Sequence, residues 1–110
     1  MSEPVIDEAT FRELQDAAGA DFVAELVDTF LEEAPGMLAA LREARAGGDG
    51  DSFRRAAHSL KSNGLTFGAT ALAAAARALE LGGIGSEAAI DTLQRDFDTA
   101  AVRLKELRDA

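Results

Sequence analysis

The run Phe53-Arg54-Arg55-Ala56-Ala57-His58-Ser59-Leu60-Lys61-Ser62-Asn63-Gly64-Leu65-Thr66-Phe67-Gly68-Ala69 decides how this chain reads. Taken as a helix turning about 100° per residue, it puts Phe53, Ala57, Leu60, Gly64 and Phe67 on one stripe. His58, the only histidine in the sequence, falls roughly 140° from the middle of that stripe. Its own face carries Arg54, Lys61, Ser62 and Leu65. A titratable nucleophile on the wet side of a packed helix, with cations a turn away on either side, suits the handling of phosphate. Gly64 lies on the apolar seam, where Gly costs about 1 kcal/mol relative to Ala. Close approach of a neighbouring helix backbone is the expected compensation.

Outward from this run the periodicity stays helical, and no segment alternates convincingly at period two. A short first helix is expected from near Asp7, a good N-cap, using Phe11 and Leu14 and ending at Gly19. A second starts around Asp21. Its stripe is Phe22, Val23, Leu26, Val27, Phe30, Leu31, Ala34, Met37, Leu38 and Leu41. Pro35-Gly36 interrupts that stripe, so a kink or two abutting helices is expected there. Gly47-Gly48-Asp49-Gly50 breaks the chain. The third helix begins at about Asp51-Ser52, either of which can cap, and Gly64 to Gly68 should end or turn it. A fourth runs from about Ala69 to Leu81 on Leu72, Ala75, Ala76 and Leu79. Gly82-Gly83-Ile84-Gly85 breaks again. Ser86 caps the last helix, which uses Ile90, Leu93, Phe97, Ala101, Leu104 and Leu107. All six Phe are assigned to the core. Four main helices with short loops imply an all-α, up-down-up-down antiparallel four-helix bundle, with the short first helix over one end.

A chain of 110 residues corresponds to one domain, residues 1–110, able to bury a core without staples. There are no cysteines, so disulfides and thiolate metal sites are excluded; a reducing compartment, the cytoplasm, is expected. Met1-Ser2-Glu3-Pro4 is acidic with no long apolar run behind it, unlike a signal peptide. No stretch reaches the apolar length of a membrane span. The net charge of −9 argues against nucleic-acid binding through general electrostatics. The absence of Tyr and Trp argues against an aromatic binding platform. Charge is unevenly spread: Ser52 to Leu79 contains no Asp or Glu but holds Arg54, Arg55, Lys61 and Arg77. This net-positive island is either an ordinary solvated face or a site for an anion or an acidic partner.

The same run resembles the signature of histidine-containing phosphotransfer (HPt) domains. Their pattern is His-x-Leu-Lys-Gly, a small residue two further on, and a Gly about ten residues after the His. His58, Leu60 and Lys61 match, Gly64 fills the small position, and Gly68-Ala69 closes the motif. Ser62 departs, standing where Gly is most usual. It is small enough to leave the ring approachable. About a dozen residues carry the specific signal, while the helix pattern extends the likeness over nearly the whole chain. The resemblance implies the same bundle architecture and a phosphorelay role of bacterial type. His58 would accept the phosphoryl group, and Lys61, with Arg54 or Arg55, would offset phosphoryl charge. Arg54, Arg55, Ser62 and Leu65 would line the docking face, with part of the second helix. Partners would be response-regulator receiver domains, which supply the aspartate and Mg²⁺, and a hybrid histidine kinase as a further partner. A monomer is expected.

Bottom-up chemistry agrees. Imidazole, with an ordinary pKa of about 6.5, is largely unprotonated at neutral pH and needs no adjacent base. There is no Gly-rich nucleotide loop and no kinase signature, so the chain is a carrier rather than a kinase. With one His, no Cys and no acid near it in sequence, no metal site is expected in this chain. Each residue also has a plainer reading. A lone helix histidine is ordinarily just exposed, Lys61 a surface lysine, Ser59 and Ser62 bland hydroxyls, Gly64 a packing residue and Gly68 a turn residue. Two alternatives stay open: a substrate domain of a larger histidine kinase, and a non-covalent adaptor that binds receivers or other proteins without phosphate chemistry.

Overall fold

The computed structural model describes residues 5–110; the acidic start at residues 1–4, read above for the lack of a leader pattern, lies outside the described residues. Five helices succeed one another: α1 (Glu8–Ala18), α2 (Ala20–Gly47), α3 (Gly50–Phe67), α4 (Thr70–Gly82) and α5 (Glu87–Asp109). Among the described residues there is no strand. None of these helices is long and apolar enough to cross a membrane.

The helix ends follow from local chemistry. Asp7 caps α1 by accepting from Thr10 N at 3.4 Å. Ser86 caps α5, accepting from Ala89 N at 3.1 Å. The cap of α3 is Asp49, upstream of the expected Asp51 or Ser52. Its carboxylate accepts from Ser52 N at 3.1 Å and from Ser52 Oγ at 2.6 Å. Asp49 wins because Gly48 ends α2 in the left-handed conformation, φ 69°, and turns the chain so that Asp49 precedes the new helix with extended backbone.

Of the two outcomes expected at Pro35, a kink or two abutting helices, the second does not occur: α2 runs as one helix from Ala20 to Gly47 with Pro35 inside it. Pro35 and Gly36 are exposed, whereas Ala34 and Leu38 beside them are buried. The hydrogen bond that proline forgoes therefore faces water, which can satisfy the freed carbonyl. The apolar stripe on either side holds the helix to the core.

Val23, Val27, Phe30, Ala34, Leu38 and Leu41 from α2 meet Phe53, Ala57, Leu60 and Phe67 from α3 in one buried cluster. Leu72, Ala76, Ile90, Leu93, Phe97 and Leu104 complete it from α4 and α5. In α4 the buried set includes Ala73, with the expected Ala75 only partly covered; in α5 Ala100 is buried and Ala101 partly. Among the described residues no polar or charged side chain is buried. Phe30 is the hub, stacked on Phe67 at 5.6 Å between centroids and edge-on to Phe97 at 5.7 Å. The assignment of all six Phe to the core fails at Phe22, which is 52% exposed. It adjoins the true seam position Val23 in the first turn of α2, turned off the stripe by one residue's rotation.

Each of α3 and α5 packs against both α2 and α4, and α1 lies on α2 and α3. Arg42 of α2 reaches Glu87 at 3.1 Å and Asp91 at 3.2 Å on α5, and Arg45 donates to Gly85 O at 3.2 Å. Further along the same two helices, Arg108 pairs with Asp28. Low numbers on α2 thus face high numbers on α5, so these helices run in opposite senses.

Candidate functional site

The placement of His58 begins at Gly64 and Gly68. A Cβ built at Gly64 would lie 3.1 Å from Ala73 N and 3.2 Å from Ala73 Cα. Gly64 is therefore where the α4 backbone rides directly on α3, as its position on the seam led one to expect. Gly68 ends α3 at φ 77°, and a Cβ there would meet Asp7 O at 2.7 Å. Its carbonyl also accepts from Asp7 N at 2.7 Å, docking the entry to α1 onto the turn. Together the two glycines fix the register in which α4 runs back along α3. Counting from the contact between Gly64 and Ala73, six residues back to His58 and seven on to Glu80, roughly 10 Å at 1.5 Å per residue, bring these two level, and Lys61, one turn nearer the contact, reaches Glu80 with its long side chain.

There the side chains meet. His58 Nδ1 lies 2.9 Å from Glu80 Oε2, and Lys61 Nζ donates to Glu80 Oε1 at 3.0 Å. The His58 side chain is 58% exposed, against 21% for Lys61 and 14% for Glu80. The ring stands in solvent, as its angle from the seam requires, with its anchoring edge against a mostly covered carboxylate. The hydrogen bonds from Lys61 and then from His58 hold the Glu80 carboxyl below the ordinary carboxylate range, against the opposing pull of its partial burial. At neutral pH Glu80 is thus an acceptor only, so the proton between it and His58 belongs to Nδ1. In the neutral ring Nε2 is then the nitrogen with the free lone pair. Its neighbour is Ser62 Oγ, 3.5 Å away and one turn on.

His58, Lys61 and Ser62 therefore converge, with Glu80 as the member that sequence reading missed. Glu80 is the first acid after the acid-free stretch Ser52–Leu79. No local spacing signals that it folds back, because its approach depends on the pairing of α3 with α4. Lys61 is correspondingly not a free surface cation: it is partly covered and engaged by Glu80. Arg54 is exposed on α3 one turn before His58, with no carboxylate within 4.0 Å among the described residues. Arg55 turns aside from the ring. Its Nε donates to Asp51 O at 3.4 Å, and its side chain, with Ala56 and Ser59, faces Gly36, Met37 and Ala40 of α2 across an open groove of about 490 Å³. Leu65 is 58% exposed, an uncovered apolar side chain on the face of α3 that carries Ser62.

Known proteins share this fold. A family model described as "Hpt domain" matches residues 25–110. No curated protein matches the chain. Among solved structures, the crystal structure of histidine-containing phosphotransfer protein B (HptB) from Pseudomonas aeruginosa PAO1 superimposes with a TM-score of 0.87 at 29% identity, covering 98% of this chain and 97% of that one. A family match over the segment that builds α3, α4 and α5, on a fold shared almost end to end, leads to one assignment: the chain belongs to the Hpt domain family.

Proposed function

We propose that this chain is the histidine phosphotransfer intermediate of a multistep phosphorelay, taking a phosphoryl group onto His58 from a receiver-domain aspartyl phosphate and passing it to another receiver aspartate. The observation that carries the reading is the exposed His58 ring anchored at Nδ1 by Glu80. The Nε2 lone pair forms the N–P bond as the P–O bond to the aspartate breaks, and that carboxylate leaves with the electron pair. No proton has to move. Because Nδ1 keeps its proton, the phosphorylated ring is formally cationic, and the Glu80 carboxylate offsets that charge. Lys61, tied to the same carboxylate as the ring, is the cation assigned in this reading to offset charge on the phosphoryl oxygens, the electrostatic assistance such transfers use.

The rest of the machinery belongs to the partner: receiver domains, with a hybrid histidine kinase as a further donor, supply the aspartate and the Mg²⁺. Arg54, Arg55, Ser62 and Leu65 form the docking face on this side. The fold is read as one domain, an up-down-up-down antiparallel bundle of α2 to α5 with α1 over one end. The chain acts as a monomeric cytoplasmic carrier with no nucleotide site and no nucleic-acid partner. Weak, transient association is expected, since the carrier must release donor and acceptor alike.

Incubation with phosphorylated receivers tests this. Label should appear on the wild type and be absent from His58→Gln, with helicity unchanged by circular dichroism. Tight receiver binding by a wild type that takes no label would overturn the carrier reading in favour of a non-covalent adaptor.

A further inference from the structure

Ser62 occupies the position where the family pattern most often has Gly, and its hydroxyl is the protein group facing the reactive nitrogen: Oγ lies 3.5 Å from His58 Nε2. Among the described residues Ser62 Oγ has no other hydrogen-bond partner, since Thr66 Oγ1 takes the Ser62 backbone carbonyl at 2.9 Å instead. With Glu80 accepting the Nδ1 proton, Nε2 of the neutral ring is an acceptor, and the Ser62 hydroxyl donates to it. At 3.5 Å this is a long, weak bond, easily given up by a hydroxyl that rotates freely.

We infer that Ser62 is a direct phosphoryl contact, a hydroxyl that leaves the Nε2 lone pair when the N–P bond forms and donates to a phosphoryl oxygen. The inference rests on the carrier reading above. The geometry favours the phosphorylated side. The phosphoryl oxygens stand one bond further from the ring than the phosphorus, on the side where the Nε2 lone pair was, within reach of a hydroxyl already beside that nitrogen. A donor to an anionic oxygen makes a shorter and stronger bond than one to a neutral ring nitrogen at the limit of reach. The weak bond is exchanged for a better one only in the phosphorylated state. Ser62 thus shifts the partition of the phosphoryl group toward His58 and slows its loss to water. A glycine here would offer no such donor.

Ser62→Ala removes the hydroxyl and keeps a strong helix former at an exposed site, so the variant folds. The full chain and the variant are each equilibrated with one phosphorylated receiver. Three quantities are read: the equilibrium fraction on histidine, the half-life of the phosphorylated chain after the receiver is removed, and its ³¹P chemical shift. Expected for Ser62→Ala are an equilibrium constant about three- to tenfold less favourable to the carrier, a shorter half-life, a displaced ³¹P resonance and an unchanged melting temperature. A labelled wild type whose variant matches it in all three overturns the role of Ser62 alone. A wild type that takes no label overturns the carrier reading, and this inference with it.

Discussion

Replacing Gly64 by Ala sets two effects of similar size against each other, and the structure decides between them. Alanine in a helix interior is favoured over glycine by about 1 kcal/mol. The new Cβ, however, would stand 3.1 to 3.2 Å from the N, Cα and Cβ of Ala73, whereas carbon atoms rest about 3.5–4.0 Å apart. Two of those three atoms are backbone, so no side chain can swing clear and α4 itself must retreat by about 0.3–0.8 Å. Forcing a well-packed seam apart costs about 1–3 kcal/mol, leaving a net destabilisation of about 1 kcal/mol after the propensity gain. The same retreat carries Glu80 away from His58, stretching a 2.9 Å hydrogen bond toward lengths where it weakens steeply. Urea unfolding should therefore show a lower midpoint with an unchanged slope. The ring-nitrogen NMR spectrum of His58 should show Nδ1 no longer uniformly protonated. A Gly64→Ala chain that is more stable than wild type, with unchanged ring resonances, would refute the claim that this contact sets the register of the site.

Other consequences follow from the same geometry. Glu80 is held below its ordinary value near 4.5, so its contribution to stability is complete above about pH 4.5 and is lost as pH falls through the lower folded value. Glu80→Gln should consequently lose less stability than wild type on acidification to about pH 3, measured by denaturant titration, and should transfer phosphoryl groups more slowly at neutral pH, since a neutral amide cannot offset a cationic ring. Lys61→Ala should slow transfer and lower the melting temperature by only a few degrees, because its partner Glu80 keeps the bond from His58; a collapse of the fold would show that Lys61 is chiefly structural. Leu65→Glu should weaken receiver binding in a titration while changing stability by less than about 0.5 kcal/mol, as expected of an exposed side chain away from the core.

The helices were legible because their signals are local. The stripe through Phe53, Leu60 and Phe67, the cap at Ser86 and the stops at Gly19 and Gly68 each depend on residues within a turn or two of one another. Where sequence reading erred, a second local signal or the solvent intervened. Asp49 out-competed Asp51 and Ser52 because Gly48 had already turned the chain. The two abutting helices allowed at Pro35 did not form because the residue is exposed and its lost bond can be met by water. Phe22 left the core because the seam at that end of α2 passes through its neighbour Val23. The orientation of His58 was equally legible, being an angle within a single helix.

The chemistry of the ring was not legible, and the reason is physical. His58 acquires its tautomer from Glu80, a residue on another helix, through a register fixed by contacts of α4 and α1 with Gly64 and Gly68. The motif around His58 tells how the imidazole is presented but nothing about which nitrogen carries the proton. That second fact governs whether the exposed nitrogen is a nucleophile. Moving the carboxylate or removing it leaves every motif residue in place, yet frees the ring to expose either nitrogen and to face a phosphoryl group without a fixed counter-charge. In this fold, then, the signature residues and the pairing of α3 with α4 are separable requirements. A chain that keeps the first and loses the second should present a histidine of the right sequence and the wrong reactivity.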